Sequence, residues 1–320
     1  MSSTGLDPSR LPRAVTVYEV GPRDGLQNEG AVVPLAAKRA FVEALARAGL
    51  RWVEATSFVH PKWVPQLADA GELMSSVERR PGTRYPVLVP NEKGLERALG
   101  VGCDAVAVFL AASDSFTRKN TNATMAEAFA RARPVIERAR AEGLWVRGYL
   151  SVVWGCPYEG PVPAARVRDL CRDLIALGVD ELSLGDTIGV ATPGEVARVV
   201  EEVVGAGGVP LERLALHFHD TRGTALANVL AGLLCGVTTY DASAGGLGGC
   251  PYAPGASGNL ATGDLLFLLD GLGIETGVDI EQVRAAALAM GEALGRSLPG
   301  RYDAAGPFRP QGPVAAGDRS

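Results

Sequence analysis

The chain is short of lysine and histidine and has no paired-cysteine motif, and each shortage closes off a kind of chemistry. Its 31 basic residues include only Lys38, Lys62, Lys93 and Lys119 as lysines. None of these falls on an expected strand, so a Schiff-base aldolase, which needs a lysine deep at a strand end, is not supported. Cysteine occurs five times and never as C-x-x-C. That pattern disfavours a disulfide framework and a structural zinc site, and it fits a reducing compartment, the cytoplasm. No run of about 18 apolar residues is present, so no membrane span is expected. The opening MSSTGLDPSRLPR has no apolar stretch and carries an acid, which argues against a secretory signal or a transit peptide. A net charge of -5 speaks against a nucleic-acid partner, because phosphate affinity usually needs a basic surface.

What the chain does have is core and turns. Of 320 residues, 47% are apolar and 21% charged, and 40 are glycine, well above the usual share of roughly 7%. This is a folded protein built from many short elements. Short β-branched runs predict strands at 15–20, 52–56, 85–89, 105–110, 145–153, 181–184, 214–219 and 238–243. Amphipathic stretches lie between them, such as 34–48, 125–142, 163–177 and 193–204; the last two open on proline, which suits a first helical turn. Strand–helix alternation implies a parallel sheet, and eight rounds in about 260 residues fit a closed α/β barrel of the (β/α)8 type, a TIM barrel. The rival is an open doubly wound sheet. It is disfavoured because the first strand–helix turn, EVGPRDGLQNEG, lacks the spacing of a dinucleotide fingerprint. The expected organisation is a tail at 1–13, one barrel domain over 14–298 with an extra helix at 279–297, and a flexible tail over 299–320, where Gly, Pro and Ala dominate.

Chemistry in such a barrel sits where strands end. Those ends are unusually polar: Arg23 and Asp24 after strand 1, Glu54 in strand 2, Arg147 in strand 5, Ser183 and Asp186 in strand 6, and His217 and His219 in strand 7. The loop after strand 8 holds Cys250 and Asn259. Residues i and i+2 of a strand share a face, so His217 and His219 point together and Phe218 away. With Asp24 across the mouth, the pair can hold a divalent ion with open water positions, Mg2+ or Mn2+ rather than closed structural zinc. The plainer reading is a hydrogen-bonded pair of core histidines. Glu54, set among apolar and small residues, must pair if it faces inward, and Arg23 is the natural partner. That pair serves structure as readily as catalysis.

These stretches carry a resemblance. VGPRDGLQNE, EATSFVHPKWVPQLAD, VRGYLSVVWGCPYEG, LSLGDTIGVATPGEV, HFHDTRGTALAN and AGGLGGCPYAPGASGNLATGD are similar to segments of the 3-hydroxy-3-methylglutaryl-CoA lyase family. That family lies within the metal-dependent barrels that include isopropylmalate and homocitrate synthases. The resemblance implies metal binding by Asp24, His217, His219 and Asn259, and contact of Arg23 with substrate. It also implies further active-site positions at Glu54, Arg147 and Asp186, and a mobile-loop cysteine at Cys250. It implies cleavage of an acyl-CoA, 3-hydroxy-3-methylglutaryl-CoA, into acetyl-CoA and acetoacetate, in a homodimer. For the hydroxyl proton the candidate bases are His217 and Asp186; Arg147 and Ser183 are candidate substrate contacts. The alternatives are the same reaction on a longer branched 3-hydroxyglutaryl-CoA, such as 3-hydroxy-3-isohexenylglutaryl-CoA; condensation of acetyl-CoA with a 2-oxo acid; and, remotely, a non-catalytic barrel that binds CoA esters.

Overall fold

A computed structural model of the chain describes residues 8–249 and 258–308. Eight parallel strand positions form a ring. They are β1 (Thr16–Glu19), β2 (the two stretches Trp52–Val53 and Thr56–Ser57), β3 (Val87–Leu88), β4 (Ala105–Ala111), β5 (Trp145–Ser151), β6 (Glu181–Asp186), β7 (Leu214–Phe218) and β8 (Thr239–Ala242). Each pairs with its successor, and β8 pairs back onto β1 with Thr16 opposite Thr239. Closure runs through β2. The Glu54 N–H donates to Glu19 on one side, while Val53 and Ala55 donate to Arg84 and Pro86 on the other. The expected eight strands and their barrel are therefore present, with one irregularity. Register sets Trp52 beside Tyr18 and Ser57 beside Leu88, one even and one odd position on the inner face. Alternation slips by one between them, as at a β-bulge, and Glu54 lies at the slip.

The strands divide polar from apolar by face. Val106, Val108, Val146, Leu182, Leu184, Leu216 and Phe218 point outward and are buried under the helices. Tyr18, Arg147, Tyr149, Ser183, His217 and Asp241 take the opposite parity and fill the barrel. The helices start where the sequence signals: Thr124 and Glu127 form a capping box at Met125–Ala141, and Thr192 and Glu195 one at Pro193–Glu201. Strand β5 stops at Ser151, short of the expected 153. Val152 turns into the left-handed region with φ 55°, and its N–H is taken by the Thr187 hydroxyl at 2.8 Å.

The extra helix is Ile280–Leu294. The fold continues beyond it, where a flexible tail was expected. Residues Arg301–Ala305 form a further short helix. Asp264 accepts the N–H groups of Arg301 and Tyr302 at 3.2 and 2.6 Å. The Tyr302 ring lies 5.6 Å from that of Phe267, and Gly300 donates to the carbonyl of Gly245. Composition pointed to a tail because the anchoring acid, Asp264, lies 37 positions upstream of Arg301. Among the described residues no helix is long and apolar enough to cross a membrane.

Candidate active site

The site begins with a turn. After β1 the N–H groups of Arg23, Asp24 and Gly25 all point at the carbonyl of Val20, which lifts two charged side chains over the barrel mouth. Gly21 allows it: a Cβ there would lie 2.6 Å from the Glu19 carboxylate. Glu19 is fully buried and accepts from the backbone of Gly21 and Ala244 and from the Thr262 hydroxyl. It thereby joins the end of β1 to both sides of the loop after β8. Burial pushes its carboxyl up to about 7.

Arg23 is 6% exposed and divides its guanidinium between two acids. One nitrogen meets Asp24 at 2.6 Å and the other meets Glu54 at 2.8 Å, while its Nε has no partner among the described residues. Glu54 also accepts the Tyr149 hydroxyl at 2.8 Å on the same oxygen, leaving Oε1 buried and without a partner among the described residues. Burial raises the Glu54 carboxyl, and Arg23 offsets part of that.

Asp24, His217 and His219 converge, each offering a ligand atom within 4.8 Å of the others. Burial works to raise Asp24, but Arg23, His217 and His219 overcome it and hold the carboxyl at about 2. Burial and the neighbouring imidazole lower His219 to about 4. The two Nε2 atoms face each other at 3.1 Å. Asn259 arrives on the strand-like return 258–260, bridged to His219. It donates to Asp24 at 2.9 Å, and its Oδ1 is buried without a partner among the described residues. Facing imidazole nitrogens, an ionised carboxylate and an orphaned amide oxygen are a donor set that suits a small divalent cation.

Three expected residues sit differently from their expectation. Arg147 was expected at the substrate, but it is wholly buried beneath the site. It pairs with Asp241 at 2.6 Å and Glu181 at 3.0 Å and stacks 3.6 Å over Tyr18. Ser183 gives its hydroxyl to Asp241 instead of offering it to the mouth. Asp186 takes the outward parity of Leu182 and Leu184, and its two oxygens accept the N–H groups of Val190 and Ala191; burial raises it to about 6. Its carboxylate holds the loop after β6, so it is badly placed to be the base. Cys250 lies outside the described residues. Of the lysines, Lys38 is buried but pinned to Asp69, away from the mouth.

Sequence reasoning missed Asp241, Tyr149 and Glu19. Its available signal was modest: Asp241 and Glu19 are carboxylates inside otherwise apolar strands, and such charges must find partners.

Fold and site together are those of a parallel α/β barrel with a possible divalent-metal site at its mouth, and the chain belongs to the HMGL-like family, whose model matches residues 14–289. Within it the chain is similar to particular lyases. It is 50% identical over 286 residues to the mitochondrial hydroxymethylglutaryl-CoA lyase of Rattus norvegicus, covering 89% of this chain and 87% of that one. The crystal structure of hydroxymethylglutaryl-CoA lyase from Pseudomonas aeruginosa matches with a TM-score of 0.90 and 49% identity, over 92% of this chain and 98% of that one. An HMG-CoA lyase solved with coenzyme A and 3-methylmalate matches with a TM-score of 0.89 and 36% identity, over 94% and 98% of the two chains.

Proposed function

We propose that the chain cleaves 3-hydroxy-3-methylglutaryl-CoA to acetyl-CoA and acetoacetate at the barrel mouth, with Mg2+ or Mn2+ held by Asp24, His217, His219 and the orphaned Oδ1 of Asn259. The observation that carries the reading is the convergence of Asp24, His217 and His219 beside the guanidinium of Arg23, in a chain half identical to named lyases. A bound divalent ion supplies Lewis acidity, which makes a hydroxyl in its shell easier to ionise.

The rest falls to this chain's own residues. Glu54 Oε1 takes the proton of the tertiary hydroxyl. It faces inward and has no partner among the described residues, and burial raises the carboxyl above its ordinary value. His217 cannot serve as freely, since Nδ1 meets Asp241 and Nε2 meets His219. As the oxygen's electron pair becomes the ketone of acetoacetate, the C–C bonding pair passes to the thioester's α-carbon. Arg23 stabilises the enolate charge that results, and Cys250 returns a proton to that carbon. Beside the Tyr149 ring, the barrel interior carries an apolar cluster of Leu88 and Ala107 with Val59 and Phe109 packed against it. It offers a wall for the methyl group.

The test is product analysis. Acetyl-CoA and acetoacetate should form in equal amounts from 3-hydroxy-3-methylglutaryl-CoA. Free CoA released from acetyl-CoA plus a 2-oxo acid, without that cleavage, would instead mark a synthase.

A further inference from the structure

Asp241 is the junction of the barrel interior. It is almost wholly buried in β8, and donors from three other strands converge on it: Arg147 of β5 at 2.6 Å on Oδ1, and Ser183 of β6 at 2.8 Å with His217 of β7 at 3.1 Å on Oδ2. Arg147 cannot drift from it, because the same guanidinium lies over Tyr18 and pairs with Glu181. Register sets Asp241 beside His217 on the adjacent strand, so the imidazole meets the carboxylate with its far edge turned to Asp24 and His219.

We propose that Asp241 is a positioning residue that fixes the tautomer and ring orientation of His217, so that Nε2 presents its lone pair to the metal. This rests on the metal site proposed above. An ionised carboxylate only accepts hydrogen bonds. The hydrogen between the two groups therefore belongs to Nδ1, and a neutral imidazole then carries its free lone pair on Nε2, the nitrogen that faces His219. Metal-ligating histidines are commonly held in this way through their other nitrogen, and loss of the holding group typically costs 10–100-fold in metal affinity. The competing account is that Asp241 merely neutralises a buried Arg147. It predicts lost stability but no change in how the folded site binds metal.

Asp241→Asn separates the two. Arg147 keeps an oxygen acceptor, while an amide donor replaces Oδ2 opposite Nδ1. That drives the imidazole hydrogen onto Nε2 and blocks the ligand position. Mn2+ binding to the folded, chelator-stripped protein, followed by electron paramagnetic resonance, should weaken 10–100-fold in the variant. Equal affinity in variant and wild type would overturn the proposal while leaving the metal site standing. Absence of Mn2+ binding by the wild type would overturn the metal site and the proposal with it. If the variant does not fold, the wild-type protein answers directly by 15N-histidine NMR, since only His60, His217 and His219 contribute. A His217 protonated at Nδ1 is expected, and one protonated at Nε2 contradicts the assignment.

Discussion

Arg23 joins the two halves of the proposed chemistry, touching Asp24 on the metal side and Glu54 on the side of the base. In the proposed reaction its contribution belongs to the transition state, where enolate charge appears. Arg23→Gln should therefore lower kcat by about 10²–10³-fold with KM changed far less; steady-state kinetics showing the loss mainly in KM would reassign it to substrate binding. Glu54 sets a pH dependence. Its carboxyl is raised by burial, and it must be ionised to take a proton, so kcat should fall on acidification with a midpoint above the ordinary carboxylate value of about 4.3. Asp24, held at about 2, adds nothing in that range. Glu54→Gln should lose about 10²–10⁴-fold in kcat. At this scale the sequence was legible wherever side chains cluster within one short motif: Arg23 with Asp24, and His217 with His219. It was not legible where partners meet across the barrel. Asp241 lies 94 positions from Arg147, and nothing in either strand alone names the other. The end of β6 pointed to Asp186 but not to its partners, the backbone N–H groups of Val190 and Ala191 in the following loop.

Elements carry the loop that completes the site. Glu19 fastens Ala244 and Thr262, and the short helix Arg301–Ala305 packs behind the same region, with the Asp303 carboxylate against the backbone of Gly263 and Gly300. Burial and the nearby Asp264 raise Asp303 to about 6. A carboxyl raised in the fold binds its proton more tightly folded than unfolded, so its contribution is full below about pH 4 and is lost as pH rises through about 6. Asp303→Asn removes that loss. Thermal melts should show the variant gaining on the wild type at pH 8 and not at pH 4, and a uniform loss at both would mean that the ionised carboxylate holds the helix. Strand and helix order was plain from periodicity, because outward positions such as Val106, Val108 and Val146 are apolar without exception in β4 and β5. The last helix was hidden, since its cap comes from Asp264 on another helix.

As a whole, the molecule is a barrel with an apolar jacket and a charged lining. Arg147, Asp241, Glu54 and Arg23 are buried as paired charges, with the half-buried Glu181 also on Arg147, and breaking a buried pair typically costs about 3–5 kcal/mol. That cost is sustained by a site whose ligands and donors must be in place before substrate arrives. In the proposed reaction, carbon–carbon cleavage depends on a divalent ion held by Asp24 and the two histidines. That dependence is tested most directly by titrating Mn2+ into chelator-stripped protein while following acetoacetate release from 3-hydroxy-3-methylglutaryl-CoA. Release should rise from near nothing to a plateau at one ion per chain, and Asp24→Ala should abolish both binding and release; full release from the stripped protein would show that cleavage needs no ion.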